Sequence, residues 1–281
     1  MTLLGVYREK VFSPGKVRED AAILDATLQA LSRMGHTFHT LEAEALGRLA
    51  IDFNTHGSTP AGTRHSRGNL CILTMAQSGR ALEVLEAQQK RGARIINSIA
   101  SVRNCYRRPS VRLLEEAGLP IPRSEIVATE EAEDRVSFQG ADSYWLKRGD
   151  VHAMEAGDVK RVGSSEELTA ALSHFKERKI GEILVQEHVE GDVIKFYGAG
   201  TETYFSAFLA STGEEITSVA GQLRRLAHQA AQAIGLEIYG GDAVVTSKRD
   251  VLLIDFNDWP SFSRCRESAA HSIAGYIAGI V

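Results

Sequence analysis

The chain has 281 residues, 43% hydrophobic and 24% charged, which is ordinary globular usage and excludes a disordered tail or a fibrous repeat. At this length roughly 70–75% of the unfolded surface can be buried, so no disulfide or metal staple is required. Thirty-two basic against 36 acidic residues leave a formal net charge of −4, which offers no global case for nucleic acid or an anionic membrane as partner.

The first third alternates strand and helix signals. Leu3-Leu4-Gly5-Val6-Tyr7 is a short apolar run. Asp20 then precedes a stripe of Leu24, Leu28 and Leu31 that ends at Gly35, which predicts an N-cap, a helix and a C-terminal glycine stop. Leu70–Leu73 predicts a second buried strand, Ser78 opens a helix carrying Leu82 and Leu85, Gly92 stops it, and Arg94–Asn97 predicts a third strand. Strands separated by helices of this length imply a parallel α/β layer. Residues 42–68, with Gly57, Pro60, Gly62 and Gly68, read as loop-rich and are not placed. A boundary falls near Arg107-Arg108-Pro109, where Pro109 suits the first turn of a helix, and Leu119-Pro120-Ile121-Pro122 makes a stiff connector.

The remainder packs its strands more closely. Ser164 and Glu167 predict a capping box for a helix with Leu168, Ala171, Leu172 and Phe175 on one face. A second helix spans about residues 219–234 and stops at Gly235. Between the helices, strands are predicted at 182–186, 193–197 and 204–209, the last two at hairpin spacing in an antiparallel sheet. The loop from Arg148 to Asp158 follows a strand, and Gly149 and Gly157 are expected to serve as permissive points near its ends.

Gly240-Gly241-Asp242-Ala243-Val244-Val245 and Val251-Leu252-Leu253-Ile254-Asp255-Phe256-Asn257 read as a hairpin. With residues 247–250 as its loop, Thr246 faces Val251, and the same register brings Asp242 opposite Asp255. Opposed residues have β-carbons roughly 4.5–5.5 Å apart, and Asn257 points to the same face as Asp255. Two facing carboxylates repel unless one takes a proton or a cation sits between them. With the amide oxygen of Asn257 they suit magnesium, which prefers hard oxygen ligands. The plainer alternative has Asp242 capping a turn and Asp255 meeting a basic side chain at the sheet rim.

Lys147 ends the strand Tyr144-Trp145-Leu146, and Lys195 interrupts Ile194 and Phe196. A lysine inside an apolar strand must snorkel or find an anion, and a phosphate fits; the alternative is a solvent-facing lysine on an edge strand. His152, in the loop after Lys147, is the titratable group there matched to neutral pH, either as general base or phosphate contact or as a plain surface histidine. Cys71, Cys105 and Cys265 are widely spaced, with no CxxC, and fit a reducing compartment. Residues 1–12 carry Arg8, Glu9 and Lys10 without an apolar core of signal length, and no run approaches the ~18 apolar residues of a membrane span. A soluble cytoplasmic protein is expected, with no nucleic-acid or membrane partner and a homo-oligomer left open.

In this order the segments resemble the ATP-grasp superfamily, nearest its ribosomal-protein glutamate ligase-like and inositol trisphosphate 5/6-kinase-like branches. The likeness runs from about Asn69 onward. It includes Leu113–Pro122 as the entry helix and connector, Lys147 as the first phosphate lysine, Val185-Gln186-Glu187-His188-Val189 as the adenine and ribose linker, and Gly191-Asp192-Val193-Ile194-Lys195 as the following strand. Gly235–Asp242 and Ile254-Asp255-Phe256-Asn257-Asp258-Trp259-Pro260-Ser261 are the more specific motifs.

The resemblance implies an α/β (α+β) chain, with an N-terminal parallel α/β pre-ATP-grasp domain over residues 1–107 and a two-subdomain ATP-grasp fold over 108–281. It implies nucleotide contacts at Lys147, Gln186, Glu187, His188, Val189, Asp192 and Lys195, and metal ligands at Asp242, Asp255 and Asn257; the catalytic candidates are Lys195, His152 and Arg107. ATP and Mg2+ are the implied cofactors, with Mn2+ as a substitute. Three departures stand out. Ser261 replaces the usual glycine, the ligases' Arg/Asn/His-rich strand is replaced by Ala210–Glu215, and Asp255 replaces a glutamate, which is more kinase-like.

The leading expectation is an ATP-dependent ligase that joins a carboxylate to an amine through an acyl phosphate, with a small-molecule or peptide acceptor. The alternative is a small-molecule kinase, for which Arg64, Arg67, Arg103, Arg107 and Arg108 would form the basic cluster. A third is a degenerate nucleotide-binding subunit, against which the intact metal set argues.

Overall fold

The computed structural model describes residues 2–46, 70–138, 142–151 and 154–281. The N-terminal strands β1 (Thr2–Tyr7), β2 (Thr37–Glu42), β3 (Leu70–Thr74) and β4 (Arg94–Ile96) form a parallel sheet in the order β2-β1-β3-β4. Side chains of β1 alternate between two cores. Leu3 packs with Leu24 and Leu28 of the helix Val17–Arg33, while Leu4 and Val6 pack with Leu82 and Leu85 of the helix Gly79–Lys90. Burial on both faces is what a parallel sheet requires.

Ser78 caps the second helix as predicted, accepting from the Ala81 N–H at 3.3 Å. Asp20 does not cap the first. That helix begins three residues earlier, and Asp20 is buried on its first turn, where it accepts from the Ser13 hydroxyl at 2.7 Å and pairs with Arg8. An aspartate with two tertiary partners is held more strongly by them than by a cap. Residues 47–69, and with them most of the segment read as loop-rich, lie outside the described residues.

The second sheet contains β5 (Ser124–Ala128), β6 (Tyr144–Arg148), β7 (Val159–Val162) and β8 (Glu182–Glu187), antiparallel throughout, in the order β5-β8-β6-β7. The helix Ser165–Glu177 covers it with the predicted face of Leu168, Ala171, Leu172 and Phe175. The capping box is half realised: Ser164 accepts from Glu167 N–H, but the Glu167 carboxylate reaches the N–H of Gly163 at 2.7 Å.

The third sheet is β9 (Asp192–Ala199), β10 (Tyr204–Leu209), β11 (Ile238–Val245) and β12 (Val251–Asp258), antiparallel in the order β10-β9-β11-β12. The predicted grouping of strands 182–209 is therefore divided. β9 and β10 pair, and β8 belongs to the second sheet, because the turn at Gly191 redirects the chain between them. The helix Ala220–Ile234 packs Leu223, Ala227 and Ile234 on one face of the third sheet and ends at Gly235, whose φ of 91° is left-handed.

The helix Arg266–Ile280 packs on the other face and against the helix Val17–Arg33. One core therefore joins Leu24 and Leu28 to Trp259, Ile273 and Ile277, while the second sheet keeps its own. The helix Arg107–Glu116 and the connector bring the chain from the first sheet to the second, and Pro120 accepts from the Leu253 N–H of β12 at 2.8 Å. Among the described residues, no helix is long and apolar enough to cross a membrane.

Candidate active site between the sheets

The hairpin of β11 and β12 carries the acidic pair. Near its turn Val245 pairs with Val251 and Ala243 with Leu253, so the loop is residues 246–250, one longer than predicted. The register then shifts between Asp242 and Ala243, and Asp242 pairs with Asp255. Ile254 is the extra residue of this β-bulge. The facing of the two aspartates is as expected, but a bulge corrects a register that is off by one nearer the turn.

The glycines before Asp242 permit close packing. A β-carbon on Gly241 would lie 2.2 Å from the Asp255 carbonyl oxygen, and one on Gly240 would lie 2.7 Å from that of Phe196.

On its other side Asp242 pairs with Lys195 of β9, whose Nζ donates to Asp242 Oδ1 at 2.8 Å. Burial disfavours the Lys195 ammonium, but the charge and hydrogen bond of Asp242 outweigh it and raise the lysine's pKa. Burial pushes the Asp242 carboxyl up further than Lys195 draws it down. Lys147 is 7% exposed, and its Nζ donates to Gln186 Oε1 at 2.9 Å and to the carbonyl of the bulged Ile254 at 3.1 Å. Burial lowers its pKa against the pull of Asp255. Ser124 Oγ accepts from Gln186 Nε2, which orients the amide oxygen toward Lys147. Neither lysine lies on an edge strand: Lys147 is buried, and Lys195, its side chain 42% exposed, is anchored on Asp242.

A cavity of about 380 Å3 opens between the second and third sheets. Lys147, Gln186, Glu187, His188 and Val189 line it, together with Asp242, Asp255 and Arg107. Of the remaining expected nucleotide contacts, Asp192 is exposed at the start of β9, and Lys195 adjoins the cavity through Asp242. Trp145 and Val193 also line it and were not singled out from the sequence, although Trp145 lies two residues before Lys147 and so shares its face. The Trp145 Nε1–H donates to His188 Nδ1 at 3.0 Å, and His188 Nε2 meets Glu190 at 2.8 Å.

A second cavity, about 710 Å3, lies between the first sheet and the end of β12, lined by residues that include Arg8, Gln77, Asn257 and Asp258. Arg107 and Asp255 line both cavities. Arg107 is 6% exposed, and its guanidinium donates to the carbonyls of Arg148 and Val151 at 3.0 and 3.2 Å. Burial lowers its pKa while the Asp255 charge raises it. Among the described residues, no three His, Cys, Asp or Glu side chains gather into a closed metal site. Of the three expected ligands, Asp242 lines the smaller cavity, Asn257 the larger and Asp255 both; two carboxylates and an amide oxygen are the donor chemistry that suits magnesium completed by phosphate oxygens.

His152 lies outside the described residues, as do Arg64 and Arg67. The loop around His152 differs from expectation. Neither Gly149 nor Gly157 has a left-handed φ; a β-carbon there would lie 3.0 Å from Glu182 O and 2.3 Å from His174 Nε2, so both serve close packing. The loop amides have internal partners as well. Gly149 N–H donates to Glu182 O, Val151 N–H to Asp150, and the N–H groups of Met154 and Glu155 to the fully buried Asp158, which also pairs with Arg178 and Arg148. Arg103 and Arg108 pair with Glu86 and Glu182, so of the described arginines proposed as a basic cluster only Arg107 lines the cavities.

No family model matches the chain. Several solved structures match over its whole length. A RimK domain ATP-grasp protein from Sphaerobacter thermophilus DSM 20745 superposes with a TM-score of 0.71 at 17% identity, covering 99% of this chain and 100% of that one. The D-alanine–D-alanine ligase from Bacillus anthracis complexed with ATP gives 0.72 at 12% identity, covering 99% and 96%. The ATP-grasp ligase PsnB complexed with minimal precursor, Mg and ADP gives 0.67 at 14%, covering 99% and 97%. At these identities the likeness is one of fold.

Proposed function

On the ATP-grasp fold that this chain has, we propose that it is an ATP-dependent ligase that joins a carboxylate to an amine through an acyl phosphate, acting on a small-molecule or peptide acceptor in a reducing, cytoplasmic setting. The observation that carries the reading is that Arg107 and Asp255 line both cavities. A nucleotide in the smaller one directs its terminal phosphate at an acceptor in the larger. The complexes of the similar structures with ATP and with Mg and ADP support the nucleotide assignment.

In this proposal the linker Gln186–Val189 meets adenine and ribose, with Asp192 at its edge. Asp242, Asp255 and Asn257 hold magnesium, or manganese in its place; the ion, when bound, neutralises phosphate charge. Lys147 is a point charge kept in place by Gln186 and the Ile254 carbonyl, while Lys195 is anchored on Asp242. Arg107 faces the phosphoryl group as it moves, in a site where burial strengthens its field. A carboxylate oxygen attacks the γ-phosphorus and ADP leaves. The amine nitrogen then attacks the acyl carbon, phosphate departs, and the nitrogen loses a proton. His152 is assigned to this centre on its place in the loop after Lys147 and on an imidazole's match to neutral pH.

The alternative, a small-molecule kinase, is favoured by one feature, Asp255 in place of a ligase glutamate. Among the described residues it lacks the support of a polyphosphate-binding cluster, since Arg103 and Arg108 are paired elsewhere. An assay that reads ADP and phosphate separately against pooled amino acids, other carboxylates and polyols tests both. Phosphate release that requires a carboxylate and an amine together is the expected result; ADP without phosphate in the presence of a polyol overturns it in favour of the kinase.

A further inference from the structure

Gln77 and Asp258 form a buried pair in the wall of the larger cavity, 3% and 1% exposed. Gln77 Nε2 donates to Asp258 Oδ1 at 2.8 Å. The other oxygen of each side chain, Gln77 Oε1 and Asp258 Oδ2, is shielded from solvent and has no hydrogen-bond partner among the described residues. An unmet buried acceptor is costly, and such a group in a folded protein calls for an explanation in its chemistry. Here two unmet acceptors sit on side chains bonded to each other.

The pair is also rigidly mounted. Gln77 N–H donates to Glu9 Oε2 at 2.9 Å, and the Gln77 carbonyl accepts from the Tyr106 hydroxyl at 2.6 Å. The Asp258 carbonyl accepts from Arg8 at 3.2 Å. Arg8 lines the same cavity, but its other N–H bonds go to the carbonyls of Met75 and Trp259 and to Asp20, so none meets Asp258 Oδ2.

We infer that the Gln77–Asp258 pair is the docking point for a cationic nitrogen of the acceptor, a primary ammonium group, which enters from the larger cavity. This inference rests on the ligase reading and deepens it. An ammonium has three donors and a positive charge, enough to fill both free oxygens and to match the carboxylate. A hydroxyl brings one donor and no charge, and a carboxylate or phosphate at this point is repelled. The Lys16 and Arg107 cations on the same cavity leave room for an anionic group elsewhere on the same molecule.

Thermal shift of the full chain with MgADP tests the assignment. The probes are L-alanine, β-alanine and putrescine, each beside the twin with hydroxyl in place of amine: L-lactate, 3-hydroxypropionate and 1,4-butanediol. At least one amine is expected to raise Tm further, with apparent affinity about tenfold tighter than its hydroxyl twin. In Gln77→Leu and in Asp258→Asn that ratio falls below about threefold, while MgADP alone still raises Tm. Equal binding of the twins, no shift from any amine, or a ratio unchanged in both variants overturns the inference and makes the pair an internal amide–carboxyl contact. Should a variant fail to fold, the wild-type ratio decides alone. Failure of MgADP to shift the wild type overturns the nucleotide reading itself, and this inference with it.

Discussion

Asp242 stands opposite Asp255 across a β-bulge, and the bulged residue between Leu253 and Asp255, Ile254, turns its carbonyl to the Lys147 ammonium at 3.1 Å. One irregularity thus positions the acidic pair and fastens a lysine of the neighbouring sheet beside it. Asp255→Asn should abolish ATP turnover while the fold stays intact. Without metal its Tm should equal or exceed that of the wild type, because a like-charge pair is relieved. Magnesium nucleotide should stabilise the wild type by mass action and the variant much less. Equal Tm gains in the two proteins would remove the metal assignment.

Lys147→Met separates binding from stability. An apolar chain of similar length replaces a buried ammonium, which relieves a charge disfavoured by burial but leaves the Gln186 Oε1 and Ile254 carbonyl acceptors without their donor, so stability should fall by about 1–3 kcal/mol with the fold kept. The Tm gain with MgATP should fall sharply. Lys195→Ala should also weaken nucleotide binding or turnover, whereas Lys160→Ala, outside both cavities, should not. Similar small effects in all three variants would contradict the roles given to Lys147 and Lys195.

Two glycine substitutions should move stability in opposite directions. Gly241→Ala forces a methyl against the Asp255 carbonyl and should cost about 1–3 kcal/mol with a loss of turnover. Gly275→Ala, in the helix Arg266–Ile280 with nothing within 4 Å of the added carbon, should stabilise by about 0.5–1 kcal/mol. Denaturant titration reads both, and a Gly241→Ala protein as stable as the wild type would remove the close approach from the account of the hairpin.

The loop after β6 should be acid-sensitive through Asp158. Burial alone would raise this carboxyl, but the N–H groups of Met154 and Glu155 and the charges of Arg178 and Arg148 outweigh it and hold its pKa below the ordinary value. A depressed folded-state pKa contributes stability that is fully present above the unfolded value of about 4 and is lost as pH falls through the folded value. Asp158→Asn removes the carboxylate that Arg178 and Arg148 share, while Glu155 and Asp150 still pair with them, and should cost about 1–3 kcal/mol at pH 7 and at pH 5. The difference from the wild type should shrink near pH 3. A difference that persists undiminished in acid would show that the carboxylate charge is not what holds the loop.

Local signals were enough for the element pattern. The Ser78 cap, the Gly235 stop and the apolar stripes on the helices Ser165–Glu177 and Ala220–Ile234 depend on contacts within a few residues, which chain order specifies directly. The facing of Asp242 and Asp255 was legible because hairpin pairing is short-range, although the loop is one residue longer and a bulge restores the register. What the chain order left open was decided by the approach of distant groups. Asp20 cedes the cap position to reach Ser13 and Arg8, and Gly149 and Gly157 are required by neighbouring atoms. β8 leaves β9 for another sheet, and Gln77 meets Asp258 across 181 residues. A buried polar group must find its partner wherever the packed layers bring one within reach, and that distance has no counterpart in residue spacing.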